Sequence, residues 1–310
     1  MDTAHIVRCI FIVLAALTYA TNLFISQMSD PKTRPSSLQF IYGTSNKTGG
    51  GISRMYPTDV KPASWAFSIW PVIYTWQCLW ILYSLAFIVR KSVPPVQNWL
   101  FFVLFTLSSV SVTSSVLLRH RFLIEAQVVT NSLLYIFLCA TLGTSLYRFD
   151  RIVNKHFPKF DFWAIQVLIH NGLGLYCSWV AVASLLGISK ALIYVHGFAK
   201  PTAGSIILGI LAVELIVWFI VENTVFERVA RYTVTPYPAC MVALSGLVEK
   251  NRSSKQNYVF EIVLLCLVVV MFIARLVLVA RRILLIHRTS RSDDMEFITV
   301  ACEGAQNYEM

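Results

Sequence analysis

Residues 258–280 read YVFEIVLLCLVVVMFIARLVLVA, and this block decides the fold class. A bilayer core about 30 Å thick is crossed by roughly 20 apolar residues in an α-helix, so the block is long enough to span. Within lipid, every backbone N–H and C=O group must be hydrogen-bonded inside the segment. The block therefore predicts a transmembrane helix.

Blocks of the same character precede it, separated by short polar joints. With the last block included, the predicted spans are approximately residues 5–26, 64–89, 98–118, 126–147, 162–187, 204–222, 230–249 and 258–280. Strands of a membrane β-barrel would be shorter and would alternate between apolar and polar residues, which these blocks do not. We predict an all-α fold, a polytopic transmembrane bundle of about eight helices within residues 1–287.

Two of these spans leave an alternative open. The first resembles a signal peptide, because Thr18-Tyr19-Ala20 is similar to a small-residue cleavage site, and its removal would leave seven helices. We expect this helix to be retained. The seventh block contains Pro236 and Pro238, which disfavour a continuous helix. It could begin near Pro236 and be too short to cross unaided.

The composition agrees with a membrane protein. Only 14% of the 310 residues are charged, against about 25% in a soluble domain. The formal net charge is +10, but the basic residues flank apolar blocks, where they anchor loops at headgroups. This placement argues against a nucleic-acid partner. None of the seven cysteines lies in a predicted exterior loop or at a CxxC spacing, so neither a disulfide framework nor a metal site is predicted.

The orientation follows from charges and glycosylation sequons. The basic joint at residues 148–159 is typical of a cytoplasmic loop. The sequons at Asn46 and Asn251 then fall in exterior loops, which predicts glycosylation and a secretory-pathway or plasma membrane. Both termini are expected in the cytoplasm. The exterior loop 27–63 is predicted to be irregular, and the polar tail 288–310 to be mobile.

The most distinctive motif is PASWAFSIWPVIY at residues 62–74, which opens the second predicted helix. Trp70, Tyr74 and Gln77 follow helical spacing and share one face. An aromatic belt at headgroup depth explains such a cluster without any ligand. The other interpretation is a flat aromatic wall that binds an apolar, planar ligand between helices.

This motif resembles the tryptophan-rich sensory protein (TspO/MBR) family, most closely its long, divergent multi-pass members. Phe67-Ser68-Ile69-Trp70 and Tyr74 match the family pattern directly, and residues 174–183 resemble its Tyr-Leu-Gly-Trp-Ile-Thr-Val-Ala segment. Short members are five-helix bundles that bind porphyrins or sterols, so this chain has about three further spans. The resemblance implies a hydrophobic small molecule as ligand and no cofactor beyond it. The lipid bilayer is the other expected partner, and the sequence leaves a homo-oligomer open.

Polar side chains within the predicted spans are the other candidates. A carboxylate at mid-bilayer costs roughly 2.5–3.5 kcal/mol, so Glu214, with Trp218 one turn later, calls for a structural or ligand-binding role. His170 is the only histidine well inside a predicted span, and it serves either as a satisfied structural residue or as a ligand contact. The candidate ligand-binding residues are therefore Trp65, Phe67, Trp70, Tyr74, Gln77, His170, Glu214 and Trp218.

Two functional hypotheses follow. The first is a non-enzymatic membrane protein that binds, senses or transports a porphyrin- or sterol-like molecule. The second is a heptahelical receptor, which requires removal of the first helix. An enzyme is not expected, because no paired carboxylates, His-rich box or Ser/His/Asp set stands at usable spacing.

Overall fold

The computed structural model describes residues 3–43, 45–90, 96–152, 158–252 and 255–306. All regular secondary structure in these ranges is helical. This confirms the predicted all-α class. The chain divides into two compact units, Met1–Val268 and Val269–Met310.

Eight helices carry the fold of the described residues. They are α1 (Thr3–Gln27), α2 (Ile69–Leu85), α3 (Trp99–His120), α4 (Ile124–Ile152), α5 (Lys159–Tyr194), α6 (Lys200–Thr224), α7 (Pro236–Lys250) and α8 (Lys255–Gln306). Two 3₁₀ turns, Ser64–Ser68 and Ala86–Ile88, flank α2. Within the described residues, seven helices are long and apolar enough to cross a membrane, and α7 is the exception.

In the first unit α5 is the central helix. It packs against α2, α4, α6 and α7. Of the candidate membrane spans in the described residues, α5 is the most deeply buried. Its backbone is α-helical except at Ile165–His170, which forms a π-helix. Such π segments locally change the direction in which side chains project from a helix. They bring Gln166 and Asn171 toward the chain that precedes α7.

The first helix packs as an integral part of the bundle. Ile12, Ala15 and Tyr19 of α1 are buried. The Tyr19 hydroxyl donates to the Tyr74 carbonyl oxygen at 3.1 Å, and its ring lies 5.7 Å from that of Phe105. Removing α1 would expose these surfaces, and its retention stays a prediction.

The seventh predicted span, 230–249, is not a continuous helix. Helix α7 begins at Pro236 and has 15 residues, a length of about 22 Å, which is short of the 30 Å or so of a bilayer core. The proline at its start explains the boundary, because proline is tolerated only where no intrahelical N–H is needed. The preceding chain at residues 225–235 is non-helical but packs into protein, with Val229, Ala230 and Thr233 fully buried.

The loop between α1 and α2 is more ordered than its composition predicted. It contains short helices at Ser36–Leu38, Gln39–Tyr42 and Gly49–Met55. Tyr42 is buried, its hydroxyl donates to the Ile25 carbonyl oxygen at 2.6 Å, and its ring meets His120 edge-on. Burial raises the pKa of Tyr42. These contacts fix the loop over the ends of α1 and α3.

An ion pair joins α2 to α5 at the opposite end of the bundle. The Arg90 guanidinium donates to both carboxylate oxygens of Asp161 at 2.6 Å, and Tyr83 donates to Asp161 at 2.8 Å. The hydrogen bonds that Arg90 donates to Asp161 raise the pKa of Arg90. A bidentate pair of this kind fixes orientation as well as distance.

The second unit consists of the rest of α8, which is helical to Gln306. Val270, Ile273 and Val277 expose more than half of their surfaces, as expected for a helix that faces lipid. The backbone of residues 288–306 is helical rather than irregular, and residues 307–310 lie outside the described residues. The mobility expected of this tail stays a prediction.

Candidate ligand cavity

A cavity of about 180 Å³ lies in the first unit beside α5. Four helices and one loop residue form its wall. The lining residues are Tyr135, Cys139, Leu142, Gly143 and Leu146 of α4, Gly174, Cys177, Ser178 and Ala181 of α5, Leu211, Glu214, Leu215 and Trp218 of α6, Phe226, and Pro236, Tyr237 and Cys240 of α7. Cys139, one of the lining residues, is exposed, so this part of the wall lies at the surface of the bundle.

The cavity exists because small residues lie where the helices are closest. Gly174, Ser178 and Ala181 of α5 follow each other at helical spacing and face the opening. A Cβ atom on Gly174 would lie 3.2 Å from the ring carbons of Pro236, so glycine allows the start of α7 to approach α5 closely. No atom lies within 4 Å of the position that a Cβ on Gly143 would take. That position is open space.

Two polar atoms in the wall have no partner. The Oε2 atom of Glu214 and the Nε1 atom of Trp218 are shielded from solvent, and neither has a hydrogen bond to the described residues. The two residues are four apart on α6 and therefore share one face. A buried polar group without a partner costs about 1–3 kcal/mol, so a guest that pairs with these atoms would recover that free energy.

Aromatic side chains from four segments line the cavity. Tyr135 belongs to α4, Trp218 to α6, Phe226 to the non-helical segment and Tyr237 to α7. Tyr237 is buried and its hydroxyl donates to Glu222, which fixes the ring. Three cysteines also line the wall, but the described residues contain no group of three or more His, Cys, Asp or Glu side chains that could hold a metal ion.

The non-helical segment beside the cavity is held by side chains of α5. The Asn171 amide donates to the Tyr232 carbonyl oxygen at 2.7 Å and accepts from the backbone N–H of Val234 at 2.9 Å. Gln166 donates to the Val229 carbonyl oxygen at 3.0 Å. Irregular backbone at membrane depth is tolerated where protein groups satisfy it, and broken helices of this kind often border binding sites.

Comparison with known families identifies the protein's relationships. A sequence model of the family described as TSPO-like protein matches residues 8–279. The chain belongs to the TSPO-like protein family. No curated protein and no solved structure matches the chain. The family match confirms the resemblance inferred from the motif at residues 62–74.

In this TSPO-like protein, the motif packs against α5 and does not line the cavity. The Trp70 ring lies 6.1 Å from Trp179 and 6.3 Å from Tyr176, and the Tyr74 ring is 5.3 Å from Trp70. Phe67 meets Trp179 edge-on at 5.9 Å. The second helix therefore turns its aromatic face inward, and Trp179 is buried beneath it.

The other polar candidates have structural partners. Trp65 is 46% exposed and donates to Glu249 at 2.6 Å, at the start of α2. Gln77 is buried and donates to the Gly172 carbonyl oxygen at 2.9 Å. Both ring nitrogens of His170 are within hydrogen-bond distance of a side chain, Ser145 at 3.0 Å and Gln166 at 3.1 Å. Of the eight predicted ligand residues, the cavity includes only Glu214 and Trp218.

The two sequons differ in accessibility. Asn46 is exposed, and its glycosylation stays a prediction. Asn251 is buried, and its Nδ2 atom, to which a glycan would attach, donates to Glu261 at 2.8 Å. The structure therefore argues against glycosylation at Asn251. Ser253 of that sequon lies outside the described residues.

Sequence reasoning missed the residues that complete the cavity. Tyr135, Phe226 and Tyr237 belong to three different segments, and each reads as an ordinary apolar or interfacial aromatic residue. Gly174, Cys177 and Ser178 of α5 follow helical spacing. A stripe of small residues is typical of close helix packing, but it does not indicate a gap beside the helix.

Proposed function

We propose that this TSPO-like protein binds a small hydrophobic molecule in the cavity between α4, α5, α6 and α7. The observation that carries the proposal is the pair of unpartnered polar atoms, Glu214 Oε2 and Trp218 Nε1, in an otherwise largely apolar wall. Apolar cavities with a few convergent polar groups are the usual form of small-molecule sites. Binding, sensing and transport all begin with this step.

The size of the cavity limits the guest. A cavity of about 150 Å³ holds one benzene molecule, so the 180 Å³ here suits a single ring system with a short substituent. A porphyrin- or sterol-like molecule, which the family resemblance implies, would place one ring in the cavity. The rest of it would extend toward lipid past Cys139.

The receptor hypothesis gains no support from the described residues. It required removal of α1, yet α1 packs against α2 and α3 through Ile12, Ala15 and Tyr19. The cavity, by contrast, supports the binding hypothesis.

A pair of glycine substitutions tests the proposal. Gly143→Leu introduces a side chain into open space in the cavity wall, whereas Gly209→Leu does so on α6 outside the wall. We expect Gly143→Leu to weaken binding of indole to the protein in lipid nanodiscs about tenfold or more. Gly209→Leu should leave the affinity unchanged.

Both glycines are helical with no atom within 4 Å of an added Cβ, so neither variant should be strained. Binding is measured by equilibrium titration, with empty nanodiscs subtracted for partition into lipid. Equal indole affinity in wild type and Gly143→Leu would contradict the proposal. Repeating the comparison with a sterol and a porphyrin determines whether these larger molecules use the same cavity.

A further inference from the structure

The described lining of the cavity has an acidic side chain and no basic one. Glu214 contributes a carboxyl group, and none of the described lining residues is Lys, Arg or His. Its Oε2 atom is shielded and has no hydrogen-bond partner among the described residues. Ionising a carboxyl group that is removed from water and has no partner is costly, so the carboxyl group of Glu214 is neutral in the empty cavity. A cation brought to it offsets the cost of ionisation.

The aromatic rings of the cavity wall are a second feature that attracts a cation. Tyr135, Trp218, Phe226 and Tyr237 approach the cavity from four different segments. The face of an aromatic ring carries partial negative charge and attracts organic cations, most strongly when the site is desolvated. Rings that surround a small volume beside a carboxyl group form a site suited to a substituted ammonium group.

We propose that the ligand of this cavity is a lipophilic amine, with one apolar ring system and a basic nitrogen. This inference rests on the proposed function, because it assigns the chemical class of the molecule bound at that site. The ammonium N–H donates to Glu214 Oε2, the substituents on nitrogen contact the aromatic rings, and the apolar ring occupies the space beside Gly143 and Ala181.

The amine can reach the site through lipid as the neutral base. On arrival it takes the proton of the neutral Glu214 carboxyl group: an N–H bond forms, the O–H bond breaks, and an ammonium–carboxylate pair results. Charge is created only where the two ions neutralise each other. This route would enter beside Cys139, a lining residue that is exposed at the surface of the bundle.

Two isosteric probes separate charge recognition from shape recognition. N,N-dimethylbenzylamine and isobutylbenzene have the same shape, and they differ by a nitrogen in place of one CH group. We expect the amine to bind the wild-type protein in phosphatidylcholine nanodiscs about tenfold more tightly than the hydrocarbon. Affinity is obtained from the dependence of the melting temperature on probe concentration.

Substitution of the carboxyl group tests its role. In Glu214→Gln the preference for the amine should fall to about twofold or less, while isobutylbenzene binds as in wild type. The control Glu125→Gln makes the same change at an exposed position at the start of α4, outside the cavity wall, and should retain the full preference. Because Gln has the size of Glu, the hydrocarbon affinity also shows that the variant is folded.

The outcomes distinguish this inference from the proposed function. Equal binding of both probes, lost in Gly143→Leu, would overturn the amine assignment and leave the cavity as a binding site. An amine preference that persists in Glu214→Gln would also overturn it. If neither probe distinguishes Gly143→Leu from Gly209→Leu, the proposed function fails as well.

Discussion

Acidic side chains in α6 and α8 show how unusual Glu214 is. The Glu222 carboxylate accepts a hydrogen bond from Tyr237, and Glu261 accepts one from Asn251 at 2.8 Å. Glu214 has no such partner among the described residues, although it lies midway along an apolar helix. Inserting a carboxylate at the centre of the bilayer costs roughly 2.5–3.5 kcal/mol of free energy. Hydrogen bonds from protein groups offset part of this cost for Glu222 and Glu261. Glu214 lines the cavity and, among the described residues, its Oε2 atom has no hydrogen-bond partner, so it is the best evidence of a ligand site.

The Trp70 ring is expected to contribute to stability and not to binding. It is half-buried between Tyr74, Tyr176 and Trp179 and lies outside the cavity wall. Trp70→Ala should lower the free energy of unfolding by about 3 kcal/mol, the low end of the range for a core tryptophan. Thermal unfolding measures this loss, and indole titration of the folded protein should give the wild-type affinity.

Trp99→Ala is the matched control, because Trp99 is 53% exposed on α3. It should lower the melting temperature much less than Trp70→Ala. A folded Trp70→Ala protein that no longer binds indole would place the ligand at the aromatic motif instead of the cavity.

At the scale of helices, the sequence predicts the elements whose signal is local. Seven spans are readable because each is a long apolar block, and Glu214 stands out because it interrupts one. The non-helical segment before α7, residues 225–235, is only partly predictable from the sequence. Pro236 marks its end, but the partner that satisfies the segment is Asn171, about 60 positions away on α5. The aromatic residues that line the cavity could not be predicted for the same reason. They come from separate segments of the chain, so their proximity leaves no periodic pattern in the sequence.

Asn171 is expected to hold the non-helical segment at residues 225–235 in place. Asn171→Ala removes a donor from Tyr232 and an acceptor from Val234 and Thr235, and it leaves backbone groups unsatisfied inside the protein. The expected loss is about 2–3 kcal/mol of unfolding free energy, together with faster amide hydrogen exchange at residues 229–235.

Asn22→Ala provides the comparison at a buried asparagine with no bond to this segment. It should leave hydrogen exchange at residues 229–235 unchanged. Equal protection of that segment in wild type and Asn171→Ala would show that packing alone holds it.

Within the first unit, the non-helical segment at residues 225–235 and α7 together run along the length of α5. Gln166, near the start of α5, contacts residue 229, whereas Gly246 near the end of α7 accepts from Ala63 N–H at 2.8 Å, just before α2. Tyr194 at the end of α5 also bonds to this side, through the Pro57 carbonyl oxygen. The chain that follows α6 and precedes α8 thus runs from one end of α5 to the other. Helix α8 therefore begins on the side of the loop at residues 28–63.

This arrangement predicts one glycan where the sequence offers two sequons. Asn46 is exposed in the loop between α1 and α2, whereas the Asn251 amide is committed to Glu261. Expressed in a secretory membrane, the protein should lose one glycan on glycosidase treatment. Asn46→Gln should abolish the mobility shift, and Asn251→Gln should leave it intact. A shift that depends on Asn251 would mean that the contacts joining Asn251 to Lys61 and Glu261 open before modification. Absence of any shift would instead place this loop on the cytoplasmic side, and would reverse the orientation inferred from the basic joint at residues 148–159.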